Sequence, residues 1–230
     1  MNGWRWLWRA ALLLGALVLA YQLWVFAHIW YWMEHDPAQS AFMERHLAAA
    51  QEKNPDAALR HRWIPYERIS IHLKRAMVAA EDARFLEHEG FDWEGIQNAY
   101  EKNLKKGKIV AGGSTISQQL AKNLFLSGER SLVRKAQEAI ITLMIERMMS
   151  KRRILEIYLN IVEWGDGVFG AEAAARHYFG VSAAALSPYQ AARLAAMTPK
   201  PRFYDKRRST PWLERKTAMI QARMDAVRIP

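Results

Sequence analysis

The 230-residue chain has no cysteine, which excludes a disulfide scaffold and any Cys-ligated zinc or iron–sulfur site. Its seven histidines form no zinc motif, because His88-Glu89 is not followed by a second histidine at the required spacing. Ser-x-x-Lys is missing as well, and with it the nucleophile of a penicillin-type acyl transfer. Gly107 and Gly112 have the spacing that opens a P-loop, but Gly113-Ser114 stands where that loop needs Lys followed by Ser or Thr, so nucleotide binding is rejected. Neither an internal repeat nor an alternating strand pattern of useful length is found. Charged residues make up only 24% against 51% hydrophobic, which places the chain outside the disordered class.

What is abundant is positive charge and tryptophan: a formal charge of +10, and ten Trp. A basic surplus points to nucleic acid, anionic lipid or a phosphorylated substrate. No charged residue falls between Ala10 and Met33, a run long enough to cross a bilayer. Trp4, Trp6 and Trp8 lie at one end and Trp30, Tyr31 and Trp32 at the other, where amphipathic rings favour headgroups. Arg5 and Arg9 precede the run and Glu34 and Asp36 follow it, so the positive-inside bias predicts cytoplasmic residues 1–9, a span over 10–33 and an exported remainder. A cleavable signal ending near Val18-Leu19-Ala20 is the alternative, although the apolar run continues well past it. Either reading exports the body and removes nucleic acid as a partner. Without Arg5 and Arg9 the surplus is still +8, facing the outer membrane surface or a lipid-linked anion.

Residues 34–64 read as a connector with a short helical piece at 41–47, and residues 65–230 as one all-α domain. Leu73, Ala76, Met77 and Ala80 form an apolar stripe ending at Glu81. Asp92 is predicted to cap a helix carrying Trp93, Ile96, Tyr100 and Leu104 on one face, stopped by Gly107. Helices are predicted over 115–126, 131–150 and 151–164. Ser187-Pro188-Tyr189-Gln190 combines an N-cap, a first-turn Pro and a capping-box Gln, which starts a helix through Met197.

Three segments can carry chemistry. In the first, residues 81–90, helical spacing projects Glu81 beside the apolar stripe, a partly desolvated position suited to proton transfer. The alternative is a helix-end carboxylate bound to Arg84 or Arg75. In the second, Gly112-Gly113-Ser114-Thr115 leads into a capped helix whose free N–H groups can meet an anion, with Thr115 and Gln118 as a capping box; a plain turn is the alternative. In the third, Arg130, Arg134 and Glu138 share one helix face with Lys135 beside them, and Lys122 is available from the preceding helix. Such a cluster suits an anion such as pyrophosphate, against the alternative of a solvated charge run.

Together these segments resemble the peptidoglycan glycosyltransferases, glycosyltransferase family 51. Glu-Asp-x-x-Phe-x-x-His-x-Gly matches 81–90, Gly-Gly-Ser-Thr-Ile-Ser-Gln-Gln-Leu-x-Lys-Asn matches 112–123, and Arg-Lys-x-x-Glu matches 134–138. Two later segments, 154–180 and 191–201, fit in the same order. The resemblance implies a lysozyme-like, mostly helical fold with a membrane-dipping lobe, and polymerisation of lipid II into β-1,4 glycan with release of undecaprenyl pyrophosphate. It assigns Glu81 as general base and Glu138 as a second glutamate near the pyrophosphate. It assigns Lys122, Arg130, Arg134 and Lys135 to the leaving group, and Ser114, Thr115, Gln118 and Gln119 to the donor side. The expected enzyme is a monofunctional member without transpeptidase activity, in the bacterial inner membrane, with lipid II and the growing chain as partners; other wall-synthesis or division proteins are further candidates. No cofactor or dedicated metal site is expected, and a divalent cation such as Mg or Mn is left open as an aid at the pyrophosphate. The rivals are a lytic transglycosylase, which needs no cationic pyrophosphate site, and a non-catalytic anchored scaffold, which gives no reason for Glu81 and Glu138.

Overall fold

The computed structural model describes residues 3–108, 112–129 and 131–230. It is mainly helical, with one long N-terminal helix standing out from a helical body. That helix, α1 (Gly3–Trp32), has almost no acidic or basic side chain along its length and leaves most of its apolar surface uncovered, as a membrane span does. Its last third is different: Val25 and Ile29 are fully buried against the body.

Residues 34–64 contribute more than a connector. They form α2 (Ala41–Gln51), capped by Ser40 accepting from the Met43 N–H at 3.2 Å, and β1 (Arg60–His61). Met43 and Ile64 belong to the common core. The two-residue β1 runs parallel to β3 (Val168–Phe169), which pairs antiparallel with β2 (Glu163–Gly165). Strands of two or three residues are too short to present an alternation, which is why the sequence pattern missed them. They also shorten the helix expected over 151–164: α7 ends at Ile161 and Trp164 lies in β2. At that corner Gly170 takes φ +82°, and a Cβ there would lie 2.5 Å from the Asn160 carbonyl oxygen.

The core is built around α7 (Lys151–Ile161), in which Ile154, Leu155, Ile157, Tyr158, Leu159 and Ile161 are all buried. α5 (Ile116–Phe125) packs against it, and α3 (Ile71–Glu81) packs against α9 (Pro188–Met197). The expected caps form: Asp92 accepts from Gly95 N–H at 2.9 Å at the start of α4 (Trp93–Lys106), Gly107 ends it at φ +60°, and Ser187 and Gln190 make the capping box of α9. One expectation changes sense. The apolar face of α4 is not core: Trp93, Tyr100 and Leu104 are 72%, 67% and 68% exposed. Leu132 and Val133, at the start of α6 (Leu132–Met148), are also bare. Bare apolar patches of this kind mark contact with lipid or protein.

Candidate active site

Four helix segments bring the site together: the C-terminal end of α3, the N-terminal half of α5, the middle of α7 and the C-terminal end of α9. Glu81 closes α3, and each of its oxygens accepts one neutral hydrogen bond. Gln119 Nε2 donates to Oε2 at 2.8 Å, and Thr198 Oγ1 donates to Oε1 at 2.7 Å. Behind them the Tyr158 hydroxyl donates to Gln119 Oε1 at 3.0 Å, which fixes the amide orientation. Burial, with the Glu81 and Asp82 charges nearby, pushes the Tyr158 phenol well above its ordinary pKa, so it remains a donor. Each Glu81 oxygen keeps lone-pair capacity for a further proton.

Asp82, 6% exposed, anchors the loop that follows. Its Oδ2 accepts from the Ile116 N–H at 3.0 Å, capping α5 from across the fold. Its Oδ1 meets His88 Nε2 at 2.9 Å, and because the Gly90 N–H donates to Nδ1 at 3.2 Å, the ring proton sits on Nε2. Lys151 Nζ donates to the His88 carbonyl at 2.6 Å and to Glu146 at 2.8 Å, while Ser117 also bonds Glu146. Gly90 lies so close to α6 that a Cβ would be 2.8 Å from Thr142 Cγ2. The loop carrying the catalytic candidate is therefore tied to α5, α6 and α7 at once.

A cleft of about 210 Å³ opens beside Glu81, lined also by Asp82, Asp92, Gly112, Gly113 and Ser114. The larger concavity, about 770 Å³, lies between residues 84–94 and the Ala139–Leu143 side of α6 and does not include Glu81. Chemistry therefore points to the smaller one.

Glu138 sits on α6 in a contrasting environment. It is 3% exposed and holds two cations, Arg134 NH1 at 2.7 Å and Lys135 Nζ. Among the described residues, the buried Nε of Arg134 has no hydrogen-bond partner. Lys122 interacts electrostatically with both glutamates and with Arg134 and Lys135. The residue is exposed, yet the protein around it partly desolvates its charge and lowers its pKa; Arg134 and Lys135 act in the same direction, Glu138 and Glu81 against it.

The sequence-predicted residues thus divide. Glu81, Gln119, Lys122, Arg134, Lys135 and Glu138 converge, and Ser114 stands exposed on the cleft rim. Thr115 and Gln118, expected on the donor side, also act as supports, and Thr115 lines the cleft beside Glu81. They are 2% and 4% exposed, and their side chains are spent on the reciprocal capping box, with Thr115 Oγ1 also donating to the Gly90 carbonyl at 2.7 Å. Arg130 lies outside the described residues. Sequence reasoning gave no role to Thr198, just past the helix predicted through Met197, nor to Asp82 and Tyr158, although both stood in matched motifs. Among the described residues, no group of three or more His, Asp or Glu could hold a metal ion.

The model of the Transglycosylase family matches residues 47–225. The chain belongs to the peptidoglycan transglycosylase family. It is 65% identical over 226 residues to the biosynthetic peptidoglycan transglycosylase of Nitrosospira multiformis, covering 98% of each chain. Its identity to the proteins of that description from Methylobacillus flagellatus and Thiobacillus denitrificans is 66% and 61%, over 97% and 99% of this chain and 97% and 98% of theirs. As a member of this transglycosylase family the chain is a glycosyltransferase, and its carboxylates and cations are to be read in those terms.

Proposed function

We propose that the chain polymerises lipid II into linear β-1,4 glycan by inverting glycosyl transfer, releasing undecaprenyl pyrophosphate. The observation that carries this reading is the contrast between Glu81, held by the neutral donors Gln119 and Thr198, and Glu138, which holds the cations Arg134 and Lys135. Glu81 takes the proton of the acceptor sugar hydroxyl, and that oxygen forms the new bond at the donor's anomeric carbon. The bond from that carbon to the pyrophosphate oxygen breaks, and the electron pair leaves with the pyrophosphate. Lys122, Arg134 and Lys135 stabilise that charge in place, so no leaving-group acid of the glycosidase kind is needed. Arg130 is proposed with them from the family resemblance, and Ser114 and Gln119 on the donor side.

Missing Ser-x-x-Lys supports the absence of a transpeptidase step. A divalent cation is assigned no more than assistance at the pyrophosphate. Arg5 and Arg9 before the apolar helix support an inner-membrane anchor with a cytoplasmic N-terminus and a periplasmic body.

The test is the full chain in lipid vesicles with purified lipid II. Uncross-linked glycan and undecaprenyl pyrophosphate are expected from the wild type, with Glu81→Gln folded and inactive. Cleavage of preformed glycan without polymerisation would replace this reading with the lytic one.

A further inference from the structure

Gln22 is an amide within the charge-free apolar run of α1. Such a group is costly in hydrocarbon unless it is paired. It is paired twice: Gln22 Nε2 donates to Gln137 Oε1 at 2.9 Å, and Gln137 Nε2 donates back to Gln22 Oε1 at 3.3 Å. Gln137 is the residue immediately before Glu138 on α6.

The pair belongs to a seam. Gln22, Val25, Ile29 and Trp32 recur at helical spacing, with Val25 and Ile29 fully buried, while Leu23 and Trp30 on other faces are 60% and 66% exposed. The Trp24 and Trp32 rings meet Phe125 at centroid distances of 5.8 and 5.4 Å. Arg153 closes the end of α1, donating to the Trp32 carbonyl at 2.9 Å and the His35 carbonyl at 2.6 Å and pairing with Asp36 at 2.9 Å. The anchor is therefore docked on the body at both ends of the seam. An amide pair between helices fixes both rotation and register, which apolar seam contacts alone specify weakly.

We propose that Gln22 is a positioning residue. Its pair with Gln137 sets the height of α6 against the anchor, so that Arg134 and Lys135 meet a pyrophosphate held at the membrane surface. The inference rests on the reading of those cations as the leaving-group site. In it the anchor is part of the donor site as well as a tether.

The full chain is reconstituted in vesicles and its kinetics with the lipid-linked donor are compared for wild type, Gln22→Leu, Gln137→Leu and the double variant. Each single change is expected to raise the donor KM roughly three- to tenfold with kcat within about twofold, and the double variant to match the singles. The absence of cysteine allows a second readout, a fluorophore on Leu132→Cys quenched by lipid-borne nitroxides; its depth is expected to shift in Gln22→Leu. Wild-type donor KM in both single variants, additive effects, or an unmoved fluorophore would each overturn the positioning role. Failure of the wild type to make glycan would instead remove the reading beneath it.

Discussion

Glu81 and Glu138 are the same residue type set in opposite surroundings. Glu81 is held by an amide and a hydroxyl, neutral donors that orient the carboxylate and leave it room to take a proton. Glu138 is held by a guanidinium and an ammonium, which make it a fixed countercharge and a clamp on two cations. Environment, then, separates a carboxylate free to act as a base from one fixed as a countercharge, as it does for paired carboxylates in other sites. Lys122, which interacts with both, is the hinge of the comparison.

The sharpest way to break this contrast is to neutralise each carboxylate in turn. Glu81→Gln is expected to lower kcat by roughly a thousandfold or more, since a positioned base contributes on the order of 10²–10⁴ and the neighbouring Asp82 and Asp92 are engaged in the Ile116, His88 and Gly95 contacts. Glu138→Gln is expected to cost roughly ten- to a hundredfold in kcat/KM, read mainly as donor KM, because it removes the charge-assisted bonds that hold Arg134 and Lys135. Equal losses in kcat from both variants, measured by glycan formation from lipid II, would erase the distinction.

A smaller effect tests the hinge. The lowered pKa of Lys122 means that its positive charge is lost as pH rises at a lower pH than for an ordinary lysine, so donor binding should weaken early on the alkaline side. Lys122→Arg keeps the charge at every accessible pH and is expected to move that alkaline limb upward. An unchanged pH profile of donor KM would show that Lys122 does not meet the leaving group.

The smallest effect separates support from chemistry. Thr115→Ala removes a buried cap and should lower stability by about 1 kcal/mol, seen in thermal unfolding, with little change in donor KM. A large KM change with unaltered stability would return Thr115 to the substrate.

Much of this was legible along the chain because it depends on local spacing. The anchor, the Asp92, Thr115 and Ser187 caps, the stop at Gly107 and the projection of Glu81 beside an apolar stripe all follow from periodicity and short-range bonding. The ordered motifs placed Glu81, Gln119, Lys122, Arg134 and Glu138 in one family pattern. What lay hidden depends on residues far apart in sequence. Thr198 is 117 positions from Glu81, so a helix stop and a hydrogen-bond donor to the base look alike until α9 is laid beside α3. The exposed face of α4 has the periodicity of a core helix, because the 3.6-residue repeat reports amphipathicity and not which apolar medium covers it.

Charge, hydropathy and helix spacing act over a few residues, and they already specify a basic, cysteine-free, mainly helical chain with a long apolar N-terminal helix and the residue types of its candidate site. Only the tertiary structure decided which glutamate is held by neutral donors and which by cations, that Thr115 and Gln118 are spent on a cap, and that Gln22 of the anchor bonds the residue beside Glu138. Hydrogen bonds and desolvation reach only a few ångströms, so they are set by which distant segments the fold brings together.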